Sequence, residues 1–161
     1  MGEVLTHENA LRRRAAARVL RQTFVFTNGC FDVLHPGHVA LLAHAKRLGH
    51  YLMVGINSDR SVHALKGTGR PVQSEADRAT ILAALADVDG VVVFDDETPR
   101  RLIEELLPDV LVKGGDYTPE DVVGRDAVEA AGGRVDIFPL VGQHSSTRLL
   151  RKQHAEATRR M

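Results

Sequence analysis

The stretch FVFTNGCFDVLHPGH, residues 24–38, decides the fold of this chain. Its first four residues form an apolar strand that leads into a glycine turn, and His35 and His38 then flank Gly37 where a helix begins. The backbone can approach a ligand closely at the glycines, and the N-terminus of the helix offers N–H groups and the positive end of a dipole. Because two imidazoles at the same place can donate to phosphate oxygens, the stretch predicts a phosphate-binding site.

Apolar strands and helix-forming segments alternate along the rest of the chain. The predicted strands are residues 24–27, 51–56, 90–94, 109–112 and 134–138, and the predicted helices are residues 37–48, 75–86, 98–107, 119–131 and 145 to about 153. This alternation is typical of βαβ units. It predicts an α/β fold, a doubly wound parallel sheet of five strands with helices on both faces. Ligands of such folds bind beyond the carboxyl ends of the strands, near the point where the strand order reverses.

The chain is expected to divide into three parts. Residues 1–22 form an N-terminal helical extension, with a helix over 8–22 whose arginines make either a solvated face or a surface for an anionic partner. Residues 23–152 form the main domain, which is long enough to bury a core without disulfides, and residues 153–161 form a polar tail. Within the domain, residues 63–72 are the longest polar, glycine-rich loop, and such loops often carry function.

Composition narrows the class of protein. The formal net charge of zero argues against a nucleic-acid partner, which usually selects a basic excess. The sequence shows no stretch long and apolar enough to span a membrane and no apolar leader near its start, so we expect no membrane partner and a cytoplasmic location. The single cysteine, Cys30, cannot form an internal disulfide and fits a reducing compartment.

Other functions are open for the first stretch. Asp32, His35 and His38 are of residue types that bind zinc, although no third nitrogen or sulfur ligand is near them in the sequence. Cys30 is a candidate nucleophile, but a small thiol after a strand is also ordinary core packing. Either histidine taken alone suits a surface or core role, and it is their pairing beside a glycine that favours phosphate binding.

The motif His35-Pro36-Gly37-His38 resembles that of the HxGH nucleotidyltransferases. This superfamily includes the glycerol-phosphate and ethanolamine-phosphate cytidylyltransferases and several adenylyltransferases. The resemblance covers about residues 23–152. It implies a Rossmann-like fold and the transfer of a nucleoside monophosphate to a phosphorylated acceptor, with release of pyrophosphate and the help of Mg²⁺ that the substrates carry.

Further motifs resemble one subgroup of that superfamily. They are TNGCFD (27–32), LKG (65–67), GRPV (69–72), VKGGDY (112–117) and SST (145–147). The subgroup comprises the adenylyltransferases of ADP-heptose synthesis, which in many bacteria are fused to a sugar kinase and in others stand alone. The resemblance implies a stand-alone enzyme that transfers AMP from ATP to D-glycero-D-manno-heptose 1-phosphate, giving ADP-heptose for lipopolysaccharide core biosynthesis. A homodimer is common among these relatives.

The same resemblance assigns the site residues. The expected catalytic residues are His35, His38, Lys66 and Arg70. The expected nucleotide-binding residues are Asn28, Gly29, Cys30, Phe31, His35, Gly37, His38, Lys113, Gly115, Asp116, Ser145, Ser146 and Thr147, and the expected substrate-binding residues are Asp32, Lys66, Arg70 and Arg78. No side chain is expected to hold a metal. Fixed positive charge of this kind suits nucleotidyl transfer, because the acceptor phosphate and the nucleotide are both anions that must approach each other. The protein need not form a covalent intermediate, so its main task is to position the substrates and stabilise their charge. The alternatives are a solvated loop charge for Lys66 and Arg70, a helix-face salt bridge for Arg78 and a helix cap for Ser145.

Two rival functions remain open at this point. Transfer of CMP from CTP to glycerol 3-phosphate, or to another phosphorylated acceptor, uses the same chemistry. The glycerol-phosphate relatives place an arginine before the SST motif, whereas this chain reads PLVGQH at residues 139–144, which favours the heptose acceptor. The second rival is a regulatory module that binds a nucleotide without turnover, and the paired imidazoles argue against it.

Overall fold

The computed structural model describes residues 1–115 and 117–139. Within these ranges a six-stranded parallel sheet has the strand order β1-β4-β3-β2-β5-β6. Its strands are Glu3–Leu5 (β1), Phe24–Gly29 (β2), Tyr51–Asn57 (β3), Gly90–Phe94 (β4), Val110–Gly114 (β5) and Arg134–Phe138 (β6). The helices are His7–Val19 (α1), Pro36–Arg47 (α2), Asp59–Lys66 (α3), Glu75–Ala83 (α4), Arg100–Leu106 (α5) and Arg125–Ala130 (α6), with a short 3₁₀ turn at Pro119–Asp121. The predicted final helix and the polar tail lie outside the described residues.

The order of the strands reverses beside β2. From β2 the chain steps to β3 and β4 on one side and then returns to place β5 and β6 on the other. Thr27 of β2 lies opposite Val112 of β5, so the residues that follow both strands emerge side by side at the carboxyl edge of the sheet. A crevice between β2 and β5 is therefore the expected place for a ligand.

Helices cover both faces of the sheet, which confirms the doubly wound α/β architecture. Side chains of a strand alternate between faces, and Val25 packs in one core with Leu42 of α2 and Leu82 of α4. Phe24 and Phe26 point to the other core, which contains buried residues of α1, α5 and α6: Ala10, Ala17, Leu102, Ile103, Leu106 and Val128.

The predicted count of five strands is wrong, because β1 adds a sixth. Its residues pair in parallel with β4 from Glu3↔Gly90 to Leu5↔Val92. Helix α1 then begins after Thr6, whose side chain accepts a hydrogen bond from the Asn9 N–H. Residues 1–22 thus contribute to the sheet and to the core beside their helix.

One arginine of α1 is not on a solvated face. Arg14 is buried, and its Nε donates to the carbonyl oxygen of Leu106 at 3.1 Å. The two terminal nitrogens of Arg14 also bind the Asp109 carboxylate, each at 2.8 Å. This side chain satisfies a carbonyl at the end of α5 and ties α1 to the start of β5.

Two other predicted segments differ from the structure. The expected loop at 63–72 begins as the end of α3, a helix that Ser58 caps by accepting from the Ser61 N–H. The expected helix over 119–131 is divided, because Gly124 has a φ of +85° and a Cβ there would meet Ile103 at 2.7 Å. Within the described ranges, no helix has the length and apolar character that a membrane crossing requires.

Candidate active site

A cavity of about 720 Å³ opens at the carboxyl edge of the sheet, where the strand order reverses. The ends of β2, β3 and β5, the start of α2 and the end of α3 contribute to its wall. Ten of the predicted site residues line it: Asn28, Gly29, Cys30, Phe31, His35, Gly37, His38, Lys66, Lys113 and Gly115. The sheet topology thus brings together residues that are up to 87 positions apart in the sequence (28 to 115).

The N-terminus of α2 presents a backbone donor to the cavity. His35 is the N-cap in an extended conformation, and no side chain caps the helix. Pro36 has no N–H, and the His38 N–H donates to the His35 carbonyl at 2.9 Å. Gly37 lies between them on the cavity wall, so its N–H and the positive end of the helix dipole suit an anion.

The imidazoles of His35 and His38 are stacked. Their ring centroids are 3.7 Å apart with planes inclined by 20°, and the Phe31 ring lies 4.9 Å from His38. Burial, assisted by the electrostatic effects of His35 and Lys66, lowers the pKa of His38 to about 4. His38 is therefore neutral near pH 7. An anion in the cavity would favour its protonated form, because opposite charge stabilises the charged state.

Two lysines add positive charge on different sides of the cavity. Lys113 lies near the end of β5, the neighbour of β2, and its ammonium is 3.4 Å from the Asn28 Oδ1 and 5.5 Å from the centre of the Tyr117 ring. Burial lowers the pKa of Lys113 below its ordinary value. Lys66 is exposed at the end of α3, just before Gly67 with its φ of +83°.

Asp32 and Arg70 form a buried pair beside the cavity and do not line it. Arg70 Nε donates to the Asp32 carboxylate, which also accepts the backbone N–H of Val72 at 2.7 Å. Burial opposes ionisation of Asp32, but the hydrogen bonds from Arg70 and from two backbone N–H groups outweigh it and lower its pKa. In the structure this pair anchors the glycine-rich loop to the first stretch.

Arg78, predicted to bind substrate, does not line the cavity either. It is only 1 % exposed. Its guanidinium donates to the Cys30 carbonyl at 2.6 Å, the Gln73 carbonyl at 3.1 Å and the Asp59 carboxylate at 2.8 Å. Arg78 therefore joins the phosphate-binding loop, the glycine-rich loop and α3 from behind.

The described residues do not assemble a metal centre of three or more His, Cys, Asp or Glu side chains. Of the three residues weighed as zinc ligands, Asp32 is occupied by Arg70 and the two histidines are stacked on each other. The cavity offers cations and imidazoles, which suit the phosphates of a nucleotide that brings its own cation.

Four of the expected nucleotide-binding residues lie outside the residues that the structure describes: Asp116, Ser145, Ser146 and Thr147. Conversely, sequence reasoning did not assign Asn57, Glu97, Thr98 or Tyr117, and all four line the cavity. The sequence did contain a signal for Asn57 and Glu97, namely their positions after predicted strands. Asn57 ends β3 and Glu97 follows β4, and the carboxyl ends of parallel strands are where ligands bind.

The family model described as cytidylyltransferase-like matches residues 26–150, which include every residue of the cavity discussed above. The chain belongs to the cytidylyltransferase-like family. It is accordingly a nucleotidyltransferase, and its stacked histidines occupy the motif on which the HxGH resemblance rests.

Curated relatives of this cytidylyltransferase-like chain include bifunctional proteins. The bifunctional protein HldE of Syntrophotalea carbinolica is 52% identical over 155 residues, which are 92% of this chain and 32% of the relative. The bifunctional protein HldE of Geotalea uraniireducens is 56% identical over 137 residues, which are 85% of this chain and 28% of the relative. The chain thus spans about a third of the length of these relatives.

Solved structures share the fold. The crystal structure of a lipopolysaccharide core biosynthesis protein from Thermoplasma volcanium has a TM-score of 0.60 and 25% identity, covering 74% of this chain and 97% of that one. A pantoate-beta-alanine ligase from Francisella tularensis has a TM-score of 0.64 at 16% identity, covering 89% of this chain and 69% of that one. The second likeness is evidence for the fold alone.

Proposed function

We propose that this chain transfers AMP from ATP to D-glycero-D-manno-heptose 1-phosphate, forming ADP-heptose and pyrophosphate for lipopolysaccharide core biosynthesis. The observation that carries nucleotidyl transfer is the stacked pair His35 and His38 on the wall of a cavity that also holds Lys66 and Lys113. The choice of acceptor rests on the LKG, GRPV and VKGGDY motifs and on the similarity to bifunctional HldE proteins. Members of the resembled subgroup are often fused to a sugar kinase. This agrees with the finding that the chain matches only about a third of each bifunctional relative.

In the proposed reaction an oxygen of the acceptor phosphate attacks the α-phosphorus of ATP in line. A P–O bond forms to the acceptor, and the bond between the α-phosphorus and the oxygen bridging to the β-phosphate breaks. The leaving pyrophosphate takes that electron pair. Negative charge grows on the α-phosphoryl oxygens and on pyrophosphate, so hydrogen-bond donors fixed before the reaction stabilise the transition state.

The hydrogen-bond donors on the cavity wall support this proposal. The Gly37 N–H and the two imidazoles lie at the start of α2, where the phosphates would lie in this proposal. Lys113 sits at the end of β5, on the side expected to hold the nucleoside, while Lys66 sits at the end of α3. A neutral His38 donates an N–H without repelling Lys66, and it gains a proton as the phosphate charge approaches.

Magnesium enters this proposal as part of the MgATP substrate. The described wall of the cavity carries basic groups and one carboxylate, that of Glu97. This donor set suits the phosphate oxygens of a nucleotide better than a bare divalent cation, which prefers several oxygen ligands. The bound cation would neutralise phosphate charge, and the chain's own part is to bind, orient and donate.

A substrate panel tests the proposal. Purified protein is incubated with MgATP or MgCTP, each combined with heptose 1-phosphate or glycerol 3-phosphate, and pyrophosphate is measured. Release that requires both ATP and the heptose phosphate is the expected result. Faster release with CTP and glycerol 3-phosphate would replace the acceptor assignment, and nucleotide binding without release in any pair would favour the regulatory module.

A further inference from the structure

Glu97 is the one carboxylate among the described residues that line the cavity. The basic side chains on this wall are those of His35, His38, Lys66 and Lys113. A carboxylate repels phosphates, so Glu97 suits a part of the substrates that carries hydroxyl groups and no phosphate. The ribose, the base and the sugar of the acceptor are the candidates.

The point at which the loop carrying Glu97 leaves the sheet, after β4, favours the acceptor sugar. Glu97 follows β4, which is two strands from β2 and three from β5. With neighbouring strands about 4.8 Å apart, the end of β4 is roughly 10 Å from β2 and roughly 14 Å from β5. Lys113 and Gly115, expected to face the nucleoside, belong to the β5 side. The loop that carries Glu97 therefore leaves the sheet on the opposite side of β2 from β5, which we take as the acceptor side.

The loop that carries Glu97 is held in place by the start of α3. The Ser58 N–H donates to the Phe94 carbonyl at 2.8 Å, and the Ser58 hydroxyl and the Arg60 guanidinium bind the carboxylate of Asp95. The Ser61 hydroxyl donates to the Asp96 carbonyl at 2.9 Å. The Asp95 carboxylate is thus committed to the loop, which leaves the exposed Glu97 to face the cavity.

A chain of hydrogen bonds joins this loop to the phosphate-binding loop. The Cys30 thiol donates to the Asn57 Oδ1 at 3.7 Å, and the Asn57 Nδ2 donates to the Ser61 hydroxyl at 2.9 Å. Ser61 in turn holds the carbonyl of Asp96, the neighbour of Glu97. The buried Asn57 and Ser61 therefore fix the spacing between the phosphate region and Glu97.

We propose that Glu97 binds hydroxyl groups of the acceptor's sugar and so sets the specificity for a sugar phosphate. An ionised carboxylate accepts two hydrogen bonds, which matches neighbouring hydroxyl groups on a sugar ring. The inference rests on the proposed function for the assignment of the acceptor side. It makes Asn57 and Ser61 positioning residues that act through the loop.

Kinetics of Glu97→Gln test the inference, because glutamine keeps the length of the side chain and removes its charge. Asp96→Asn is the matched control: it removes one negative charge a residue away, at a side chain that does not line the cavity. We expect Glu97→Gln to raise the KM for heptose 1-phosphate roughly ten- to a hundredfold, the usual effect of losing charged hydrogen bonds. The KM for ATP stays within about twofold of that of the parent, a change worth less than half a kcal/mol, and Asp96→Asn changes neither constant.

A rise in the KM for ATP would overturn the inference, since Glu97 would then belong to the nucleoside side. Unchanged constants, or a fall in both KM values as expected from simple relief of repulsion, would overturn it as well. Ser61→Ala adds a second readout. A positioning role predicts a higher KM for the sugar phosphate with an unchanged KM for ATP, whereas a merely structural role lowers the melting temperature without that split.

Calorimetry separates this inference from the proposed function. Heptose 1-phosphate and inorganic phosphate are titrated into the parent protein and into Glu97→Gln in the presence of a non-hydrolysable ATP analogue. Weaker binding of the sugar phosphate alone to the variant supports the role of Glu97 even if the parent shows no turnover. Equal affinity of both proteins for the sugar phosphate, or no binding of it to the parent, overturns the role.

Discussion

The imidazole rings of His35 and His38 stack with centroids 3.7 Å apart, and His38 is pressed on its other neighbour, the Phe31 ring, at 4.9 Å. Burial, with a smaller electrostatic effect of His35 and Lys66, lowers the pKa of His38 to about 4. His38 is therefore a neutral donor near pH 7, and in the proposed reaction it lies where phosphate charge develops. Its properties depend on burial as much as on residue type.

Acidification should destabilise the protein through His38. The unfolded chain takes up a proton at this residue near its ordinary pKa of 6.5, whereas the folded protein does so only near the lowered pKa of about 4. Stability from the neutral imidazole is therefore present above pH 6.5 and is lost as pH falls below it. Between pH 7 and pH 5 we expect His38 to lower the free energy of unfolding by about 2 kcal/mol.

Urea unfolding of the parent and of His38→Gln at both pH values measures that contribution as a difference. The glutamine variant should lose about 2 kcal/mol less than the parent over this range. Equal losses would show that His38 titrates normally in the folded protein.

Loss of either imidazole should slow catalysis strongly. In the proposed mechanism His35→Ala and His38→Ala each remove a donor to the transferred phosphate, and the loss of one such donor costs about 3 kcal/mol, or roughly a hundred- to a thousandfold in kcat. His63→Ala is the control, since His63 is exposed on α3 and does not line the cavity. Near-parental turnover in both cavity variants would refute the roles given to these histidines.

Loss of the Asp32–Arg70 ion pair should make the folded protein less stable. Asp32 is only 1 % exposed, so Asp32→Asn leaves a mostly buried guanidinium without its counter-charge while keeping an oxygen for the Val72 N–H. We expect the free energy of unfolding at pH 7 to fall by about 3 kcal/mol. The pKa of Asp32 is lowered in the folded protein. The stabilisation is therefore fully present when the pH is above the ordinary pKa of an aspartate, and it is lost as the pH falls through the lowered pKa.

Chemical denaturation of Asp32→Asn at pH 7 checks this value, with Asp126→Asn as the control. Asp126 is an exposed partner of Arg100, and such surface pairs contribute little to stability. A similar, small loss in both variants would mean that the Asp32–Arg70 pair does not anchor the glycine-rich loop.

Substitution of Gly115 should weaken nucleotide binding selectively. Its φ is +131°, and a Cβ there would lie 3.2 Å from the Tyr117 ring. Gly115→Ala is expected to raise the KM for ATP several-fold, because the turn after β5 must shift. Gly132→Ala is the matched control: Gly132 has a φ of +86° and open space around its Cβ position, away from the cavity. If both alanine variants showed the same KM for ATP, the Gly115 turn would not contribute to the nucleotide site.

The central part of the fold was predictable because its signals are local. Residues 24–38 combine an apolar strand, glycines and a proline at the first position of α2, and each feature has one structural consequence. Strand β1 has no such signal, since three residues with an exposed Val4 show no useful alternation. Its place in the sheet depends on pairing with β4, which is distant in the sequence.

The sequence predicted the site residues that lie within glycine-containing motifs. It was less informative for residues whose contacts depend on how the chain packs. Arg78 was predicted to bind substrate, and in the structure it donates to groups of Cys30, Gln73 and Asp59. These three residues come together only in the folded protein. Glu97 lies in an acidic stretch whose use the sequence left undecided. Its exposure to the cavity follows from the fixing of the loop by Ser58 and Ser61.

Nucleotidyl transfer at the His35–His38 site can be followed through the fate of labelled phosphate. Parallel reactions contain ATP labelled at the α- or the γ-phosphorus, together with Mg²⁺ and heptose 1-phosphate, and the products are separated. We expect the α-label in ADP-heptose and the γ-label in pyrophosphate, and we expect neither product from a His35→Ala, His38→Ala double variant. Transfer of the γ-label to the sugar, or an unchanged yield of ADP-heptose from the double variant, would contradict this expectation.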